Sequence, residues 1–339
     1  MKIQKLCFLY VLVFISMTAC DEVLNRFEYQ DTSIVNSGQK PLLCVQGFPS
    51  DYNTELKIDV SDALIIGKAY NNKQIAIQNA SINLFEDGVF ISTLLPSKSP
   101  SSPDIATYFP NYYQSNIIFK PEHEYSIEVS SPGYKTVTGK TSIPTRIYPD
   151  SLTVTGYVEN NKKGYRFTLH INDPANIKNY YMVNARSYTM AKLNSQGEWG
   201  QSIENIKFPL GDRVFDFLPD KQSFVREPFD ISNFKPRIFS DETFQGKQYG
   251  LNFFLEFDPA YDTQEIYVDR VEVFLMSISK EMFEGLKSQF LFQVIRSDLY
   301  AEKPMIYSNM SNGIGLWAGY STASRSVKLN KRVMFKIYQ

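Results

Sequence analysis

The feature that most constrains the fold is an alternation of apolar and polar residues that recurs in short segments between turns. It is clearest in ASINLFEDGVFIST, where Ile82 and Leu84 share one face before Asp87-Gly88 reverses the chain. Alternation with a period of two is typical of a strand with one buried face. Asp-Gly suits the positive φ angles of a tight hairpin turn. We therefore predict a β-hairpin here and, because the pattern recurs, a mainly all-β fold.

The segments up to residue 145 extend this pattern into a first domain. Alternate apolar residues form one face in ELKIDV and in EYSIEVSSPGY, namely Leu56, Ile58 and Val60, then Tyr125, Ile127 and Val129. The second segment resembles the closing strands of immunoglobulin-like or transthyretin-like sandwiches. Several short strands with no helical period predict a β-sandwich over residues 41–145.

The two prolines of IPTRIYPDS mark the start of a larger β-rich domain, residues 146–339. Tyr165, Phe167 and Leu169 alternate in one of its predicted strands, whereas residues 194–250 read as loop-like. One amphipathic helix is predicted near residues 279–295, because its apolar residues recur at spacings of three and four. Ser279 is a suitable N-cap for that helix.

The N-terminus carries a pattern of export and lipid attachment. Lys2 and Lys5 precede an apolar run of 12 residues, too short to span a bilayer and typical of a secretory signal. Met17-Thr18-Ala19-Cys20 then resembles a bacterial lipobox, in which the cysteine thiol accepts a diacylglycerol after which the signal is removed. We expect a signal peptide at 1–19, a lipidated Cys20 and a tether at 20–40. The alternative is an ordinary cleaved signal followed by an incidental cysteine.

Two acids follow the cysteine, Asp21 and Glu22. An acidic cluster at this place resembles the surface-export signal of Bacteroidota-type lipoproteins, which favours an outer-membrane protein facing the cell exterior. In many other Gram-negative bacteria, Asp at this place resembles an inner-membrane retention signal. A solvated acidic linker is the third interpretation.

Charge and cysteine content exclude several function classes. The net charge is −1, and loss of Lys2 and Lys5 lowers it to −3, so nucleic acid is not expected as a partner. The three cysteines include Cys7 in the signal and Cys20 at the lipid site. Cys44 alone remains and has no disulfide partner, so we expect a small buried hydrophobe there.

The residues give no pattern typical of catalysis, and we predict a protein that is not an enzyme and needs no cofactor. His123 and His170 lack a second Cys or His at metal-ligand spacing, so no zinc site is expected. Three aspartates in FDPAYDTQEIYVD do not match the EF-hand spacing for Ca²⁺: Asp258, Asp262 and Asp269. Carboxylate pairs for glycoside hydrolysis cannot be recognised from sequence separation, which leaves a hydrolase as a third class.

Several segments together resemble a known family. They are PLLCVQGF, FSDETFQGK, SISKEMFEGLKS and AEKPMIYSNMSNGIGLWAGYS, and they span nearly the whole mature chain. They are similar to the Bacteroidota lipoprotein family catalogued as domain of unknown function 4249. That resemblance implies a lipoprotein with an immunoglobulin-like N-terminal part and a larger β-rich part, and genes that often neighbour TonB-dependent outer-membrane transporters. It implies no established activity.

These features lead to one functional expectation and one alternative. We expect a surface-exposed, lipid-anchored outer-membrane protein that serves as a non-catalytic accessory or binding subunit of a TonB-dependent nutrient transporter. The alternative is an adhesion or surface protein-interaction module. Ligand-binding residues are not fixed by any motif, although aromatic residues are abundant, and three are candidates by type alone: Trp199, Tyr249 and Trp317.

Overall fold

The computed structural model describes residues 42–52, 56–63, 77, 79–96, 112–159, 162–192, 197–206, 214, 237–256, 266–295, 302 and 305–329. In this part of the chain, strands dominate and form several mainly antiparallel sheets, together with one helix. The prediction of a mainly all-β fold is therefore confirmed. The predicted signal peptide and tether lie outside the described residues.

The first sheet has nine strands, of which seven come from the N-terminal part of the chain: β1 (Leu43–Gly47), β2 (Leu56–Asp62), β3 (Ser81–Glu86), β4 (Val89–Pro96), β5 (Tyr112–Ser115), β6 (Glu124–Ser130) and β7 (Val137–Ser142). The other two are β15 (Met310–Ser311) and β16 (Ile314–Trp317). These two are consecutive in sequence yet lie at opposite ends of the strand order, which is β15-β7-β6-β3-β4-β5-β2-β1-β16. The domain predicted at 41–145 thus takes two strands from residues 310–317.

The two halves of this sheet enclose a single core. Alternate residues of β1, β2, β3 and β6 point into it and are fully or almost fully buried, among them Leu43, Val45, Ile58, Ile82, Leu84 and Ile127. The predicted hairpin is confirmed, since β3 pairs with β4 around Asp87 and Gly88, whose φ angles are 50° and 79°. Both positive angles fit the turn type that Asp-Gly favours.

The second unit is a sandwich of two further sheets. Their strands are β8 (Ser151–Glu159), β9 (Lys162–Asn172), β10 (Tyr180–Lys192), β11 (Trp199–Asn205), β12 (Arg237–Ser240), β13 (Gln248–Glu256), β14 (Ile266–Ile278) and β17 (Tyr320–Lys328). One sheet has the order β11-β10-β14-β17, with β12 also paired to β10, and the other has the order β13-β9-β8. Phe167 and Phe253 stack in its core with ring centroids 5.0 Å apart.

The prediction that residues 194–250 are loop-like is wrong in part. Strands β11 and β12 lie one after the other along the same edge of β10, and β13 begins at Gln248. β12 has only four residues, all of them buried, so it shows no alternation to detect. In β11 the apolar residues Trp199 and Ile203 are separated by Gln201 on the same face, which hides the period of two.

The predicted helix is present as α1 (Lys280–Ile295). Ser279 caps it, because its Oγ accepts the Met282 N–H at 3.2 Å. The buried face of α1 packs on the outer surface of β10, β12 and β14 and on residues of β16, through Met282, Phe283, Leu286 and Phe290. A Cβ atom on Gly285 would lie 2.5 Å from the Leu316 side chain, so the absence of a side chain lets β16 approach the helix.

One extended segment connects the two sandwiches. β16 runs parallel to β1 from Cys44–Ile314 to Gly47–Trp317, and the pairing continues to a bridge between Ser50 and Tyr320. β17 then continues into the second sandwich, where Tyr320 pairs with Ile278 and Lys328 pairs with Arg270. The chain enters the first sandwich at the Leu43 end of β1. The Lys328 end of β17 therefore lies at the opposite end of this segment, and β17 alone adds about 30 Å at the usual rise of a strand.

Candidate interaction surface

The residues predicted for lipid attachment and export lie outside the described residues. They are Met17, Thr18, Ala19, Cys20, Asp21 and Glu22. Their roles stay predictions. The described chain begins at Leu42, directly before β1, so a tether would join the molecule at that end of the first sandwich.

Cys44 and the two histidines belong to ordinary structural surroundings. Cys44 is half-buried rather than buried, because it points away from the Leu43–Val45 face of β1, and burial raises the pKa of its thiol. His123 lies in the turn before β6 with its Nδ1 2.7 Å from the Asp87 carboxylate. His170 lies on the half-exposed face of β9.

The aspartates considered for a cation do not come together in the described residues. Asp258 and Asp262 lie outside them, and Asp269 is the additional residue at a bulge in β14, where its carboxylate is 3.5 Å from Arg270. Across the described ranges, no group of three or more His, Cys, Asp or Glu side chains is arranged to hold a metal ion.

Of the three aromatic candidates, only Trp199 is presented to solvent. Trp317 is fully buried in the first sandwich, and Tyr249 is half-buried and stacks on Phe244 at 4.6 Å. Trp199 keeps 42% of its surface exposed and makes an edge contact with Tyr267 at 5.5 Å between ring centroids. The fold therefore places Trp317 in a core, Tyr249 at the margin of the other core and Trp199 at the surface.

Trp199 belongs to a continuous outward face on β11, β10, β14 and β17, which we call the outer face. The strand register places Trp199 of β11 beside Lys192 of β10. In the next outward row, Met190 of β10 lies between Gln201 of β11 and Tyr267 of β14. Further along, Tyr188 of β10 lies between Ile203 of β11 and Arg270 of β14. Arg270 in turn pairs with Lys328 of β17. The opposite faces of β10 and β14 form the core of the second sandwich. Helix α1 covers the other end of this sheet, around Met182 and Met276.

Two arginines of the outer face stack on aromatic rings. The Arg270 guanidinium lies 3.8 Å from the centroid of the Tyr188 ring, and Arg186 lies 5.1 Å from that of Phe274. The Tyr188 hydroxyl donates to Glu272 Oε2 at 2.8 Å. Burial and this bond raise the pKa of Tyr188, so the hydroxyl stays protonated at neutral pH. A stacked guanidinium keeps its N–H edge available for a carboxylate.

The composition of the outer face is typical of a protein interface. Trp, Tyr and Arg are enriched at residues that dominate binding energy, and apolar side chains next to them exclude water. Exposed Ile203 supplies such a side chain, with 56% of its surface accessible. Of the residues on the outer face, Trp199 alone was a candidate from the sequence. The other residues of this face come from four strands between residues 186 and 328. Only their alternation within β10 and β14 could have placed them on one face.

In the described part of the chain, no helix has the length and apolar character needed to span a membrane. A search among curated proteins gives no match. The family model described as Domain of unknown function (DUF4249) matches residues 28–326, which include the first sandwich, helix α1 and the second sandwich up to the last two residues of β17. The chain therefore belongs to the family of domain of unknown function 4249.

Proposed function

We propose that this protein is a lipid-anchored lipoprotein of the outer membrane that faces the cell exterior and serves as a non-catalytic binding subunit of a TonB-dependent nutrient transporter. The lipobox-like Met17-Thr18-Ala19-Cys20 and the acids Asp21 and Glu22 support the anchor and its export. Two or three acyl chains give stable anchoring, whereas one gives only marginal binding.

The placement of the outer face is the observation that carries the proposal. A chain anchored at its N-terminus enters the fold at Leu43, while Trp199 and Tyr267 lie level with the Lys328 end of β17. β1 runs parallel to β16, and the chain continues from β16 into β17. The length of these strands separates the Leu43 end of the molecule from the Lys328 end. An aromatic and cationic surface remote from the anchor is well placed to contact another protein or its cargo.

Purification from the native membrane in mild detergent tests this function. Mass spectrometry of the material that stays attached should identify a TonB-dependent transporter in stoichiometric amount, and the N-terminal peptide should carry acyl chains on Cys20. Cys20→Ser should release the protein from the membrane, whereas the matched variant Cys44→Ser should not. Recovery of the lipidated protein alone would contradict the subunit function.

Adhesion to another surface protein is the second candidate, because an outer face of this composition also fits a partner that is not a transporter. It would be supported by recovery of a different surface protein in stoichiometric amount from the same membranes. A chain that is not lipidated would contradict both candidates.

A further inference from the structure

Strand β11 lies at the edge of its sheet in the described part of the chain, where it pairs with β10 alone. Its sequence WGQSIEN contains one charged residue, Glu204, and neither Lys nor Pro. Natural proteins protect an exposed edge with charges (above all Lys), Pro, bulges or very short strands, because a row of backbone N–H and C=O groups is a template for another strand. β11 has seven residues and exposes both Trp199 and Ile203.

The outer face beside this edge has a charge opposite to that of the whole chain. The chain has a net charge of −1. The outward positions of the described strands carry one carboxylate, Glu272, and four cations: Arg186, Lys192, Arg270 and Lys328. Glu272 is already bonded to Tyr188, and the bulge residue Asp269 to Arg270. The face is therefore positive, in a protein that is otherwise slightly acidic.

We propose that the partner contributes an extended, acidic polypeptide segment, which adds to β11 as an extra strand and lays its acidic side chains over the outer face. This inference rests on the proposed function, since the segment belongs to the transporter. Backbone hydrogen bonds to β11 supply the affinity of such strand addition, and alternate side chains supply its specificity.

The geometry of a sheet determines what the added strand meets. Its outward side chains lie next to Trp199, Gln201 and Ile203 on β11, and β10 with Arg186 and Lys192 lies about 4.8 Å further in. Aromatic or apolar side chains of the segment pack on Trp199 and Ile203. Carboxylates reach the cations of β10, and these charge-assisted hydrogen bonds are stronger than neutral ones.

Charge reversal tests the electrostatic part. In the full-length protein purified from membranes with its transporter, Lys192→Glu should lower the amount of transporter recovered about tenfold, because a like charge on β10 then faces the acidic segment. The matched control is Lys135→Glu, which changes net charge equally at an exposed position elsewhere and should leave recovery unchanged. Equal recovery from both variants would overturn the proposal.

Photocrosslinking in cells tests the strand addition. A photoreactive residue at Gln201 should crosslink to an acidic segment of the transporter, and one at Thr153, which is exposed on β8, should not. Crosslinks from Thr153 alone, or from Gln201 to a glycan or to a segment without acids, would overturn the inference while the transporter still copurifies. If no transporter copurifies with the wild-type protein, the proposed function fails instead.

Discussion

Trp317 donates its indole N–H to the backbone carbonyl of Tyr125 at 2.9 Å, joining residues that are 192 positions apart in sequence. The ring is fully buried, and a Cβ atom on Gly47 would lie 2.8 Å from it, while one on Gly139 would lie 3.1 Å from the Trp317 Cβ atom. The side-chain amide of Asn309 binds the backbone of Trp317. Its oxygen accepts the Trp317 backbone N–H, and its nitrogen donates to the Trp317 backbone carbonyl. The C-terminal segment thereby becomes part of the N-terminal core.

Replacing this tryptophan should destabilise the first sandwich. Trp317→Phe removes the only donor of the side chain and leaves unfilled volume, so we expect a loss of about 2–3 kcal/mol in the free energy of unfolding. Urea unfolding measures it. The matched control is Trp199→Phe, an exposed position at which a change within about 0.5 kcal/mol is expected. Equal losses for the two variants would contradict the assigned role of Trp317.

A glycine in β16 makes a second, independent test of this closure. Gly315 has a φ of 127°, and a Cβ atom there would lie 1.9 Å from the Val45 carbonyl oxygen. Gly315→Ala should therefore cost at least about 2 kcal/mol, from backbone strain together with displacement of β16 from β1.

The control for Gly315 is Gly88→Ala in the hairpin turn. Gly88 also has a positive φ, 79°, but a Cβ atom there would meet nothing within 4 Å. It should cost about 1 kcal/mol from conformational strain alone. If thermal or urea unfolding shows Gly315→Ala to be no worse than Gly88→Ala, the tight packing of β16 on β1 is not required.

The local pattern in the sequence was sufficient for elements whose partners are close in the chain. The hairpin at Asp87-Gly88, the buried alternation in β6 and β9, and the helix after Ser279 all follow from periodicity, turn residues and a cap. The pairing of strands that lie far apart in the sequence was not predictable in this way. Nothing in the local pattern of residues 310–317 states that they pair with β7 and β1.

The candidate surface shows the same limit. Trp199 could be named from its residue type, but so could Trp317, and only the fold shows which one is buried. Arg270 meets the Tyr188 ring, and Arg186 meets that of Phe274, because β10 and β14 pair in antiparallel register, with a bulge next to Tyr188 that shifts the pairing. A single sequence contains no signal for that register shift.

The junction between the sandwiches contains an ion pair with a buried carboxylate. Asp51 Oδ2 lies 2.7 Å from Arg146 Nη2, its side chain is only 3% exposed, and its Oδ1 accepts the Thr322 N–H. Arg146→Met should cost about 3 kcal/mol, because it leaves this carboxylate buried without its counter-ion. Adding Asp51→Asn to that variant should restore part of the loss.

A double-mutant cycle in urea measures the coupling of Asp51 with Arg146. The exposed pair of Lys140 and Glu124, 3.0 Å apart, serves as the control, and Lys140→Met should cost less than about 1 kcal/mol. A coupling energy near zero for Asp51 and Arg146 would show that the junction does not depend on this pair.

A buried acid in the second sandwich predicts a specific pH dependence. Asp241 is 1% exposed, and its Oδ1 has no hydrogen-bond partner among the residues that the structure describes. Burial raises the pKa of Asp241, and the nearby Asp173 adds to the effect. The folded state therefore holds this proton more tightly than the unfolded state. The contribution of Asp241 to stability falls as pH rises through the window above the usual range of an Asp carboxyl.

Asp241→Asn removes this titration while keeping an oxygen for the Asn179 N–H, which Asp241 Oδ2 accepts at 2.7 Å. We expect the variant to gain stability relative to the wild type as pH is raised from 3 to 7. Glu242, whose pKa is lowered by Lys178, provides the control, since Glu242→Gln should lose stability relative to the wild type over the same range. A difference between Asp241→Asn and wild type that does not change with pH would contradict the account.

Binding of the transporter by the outer face can be measured directly. The measurement is the amount of transporter that copurifies in mild detergent with wild type, Trp199→Ser and Val89→Ser, quantified by mass spectrometry. Val89 is the matched control, because it is apolar and 69% exposed at the hairpin of the first sandwich. We expect Trp199→Ser to lower recovery about tenfold and Val89→Ser to leave it unchanged. Unchanged recovery with Trp199→Ser, while the protein remains folded and lipidated, would contradict binding of the transporter by the outer face.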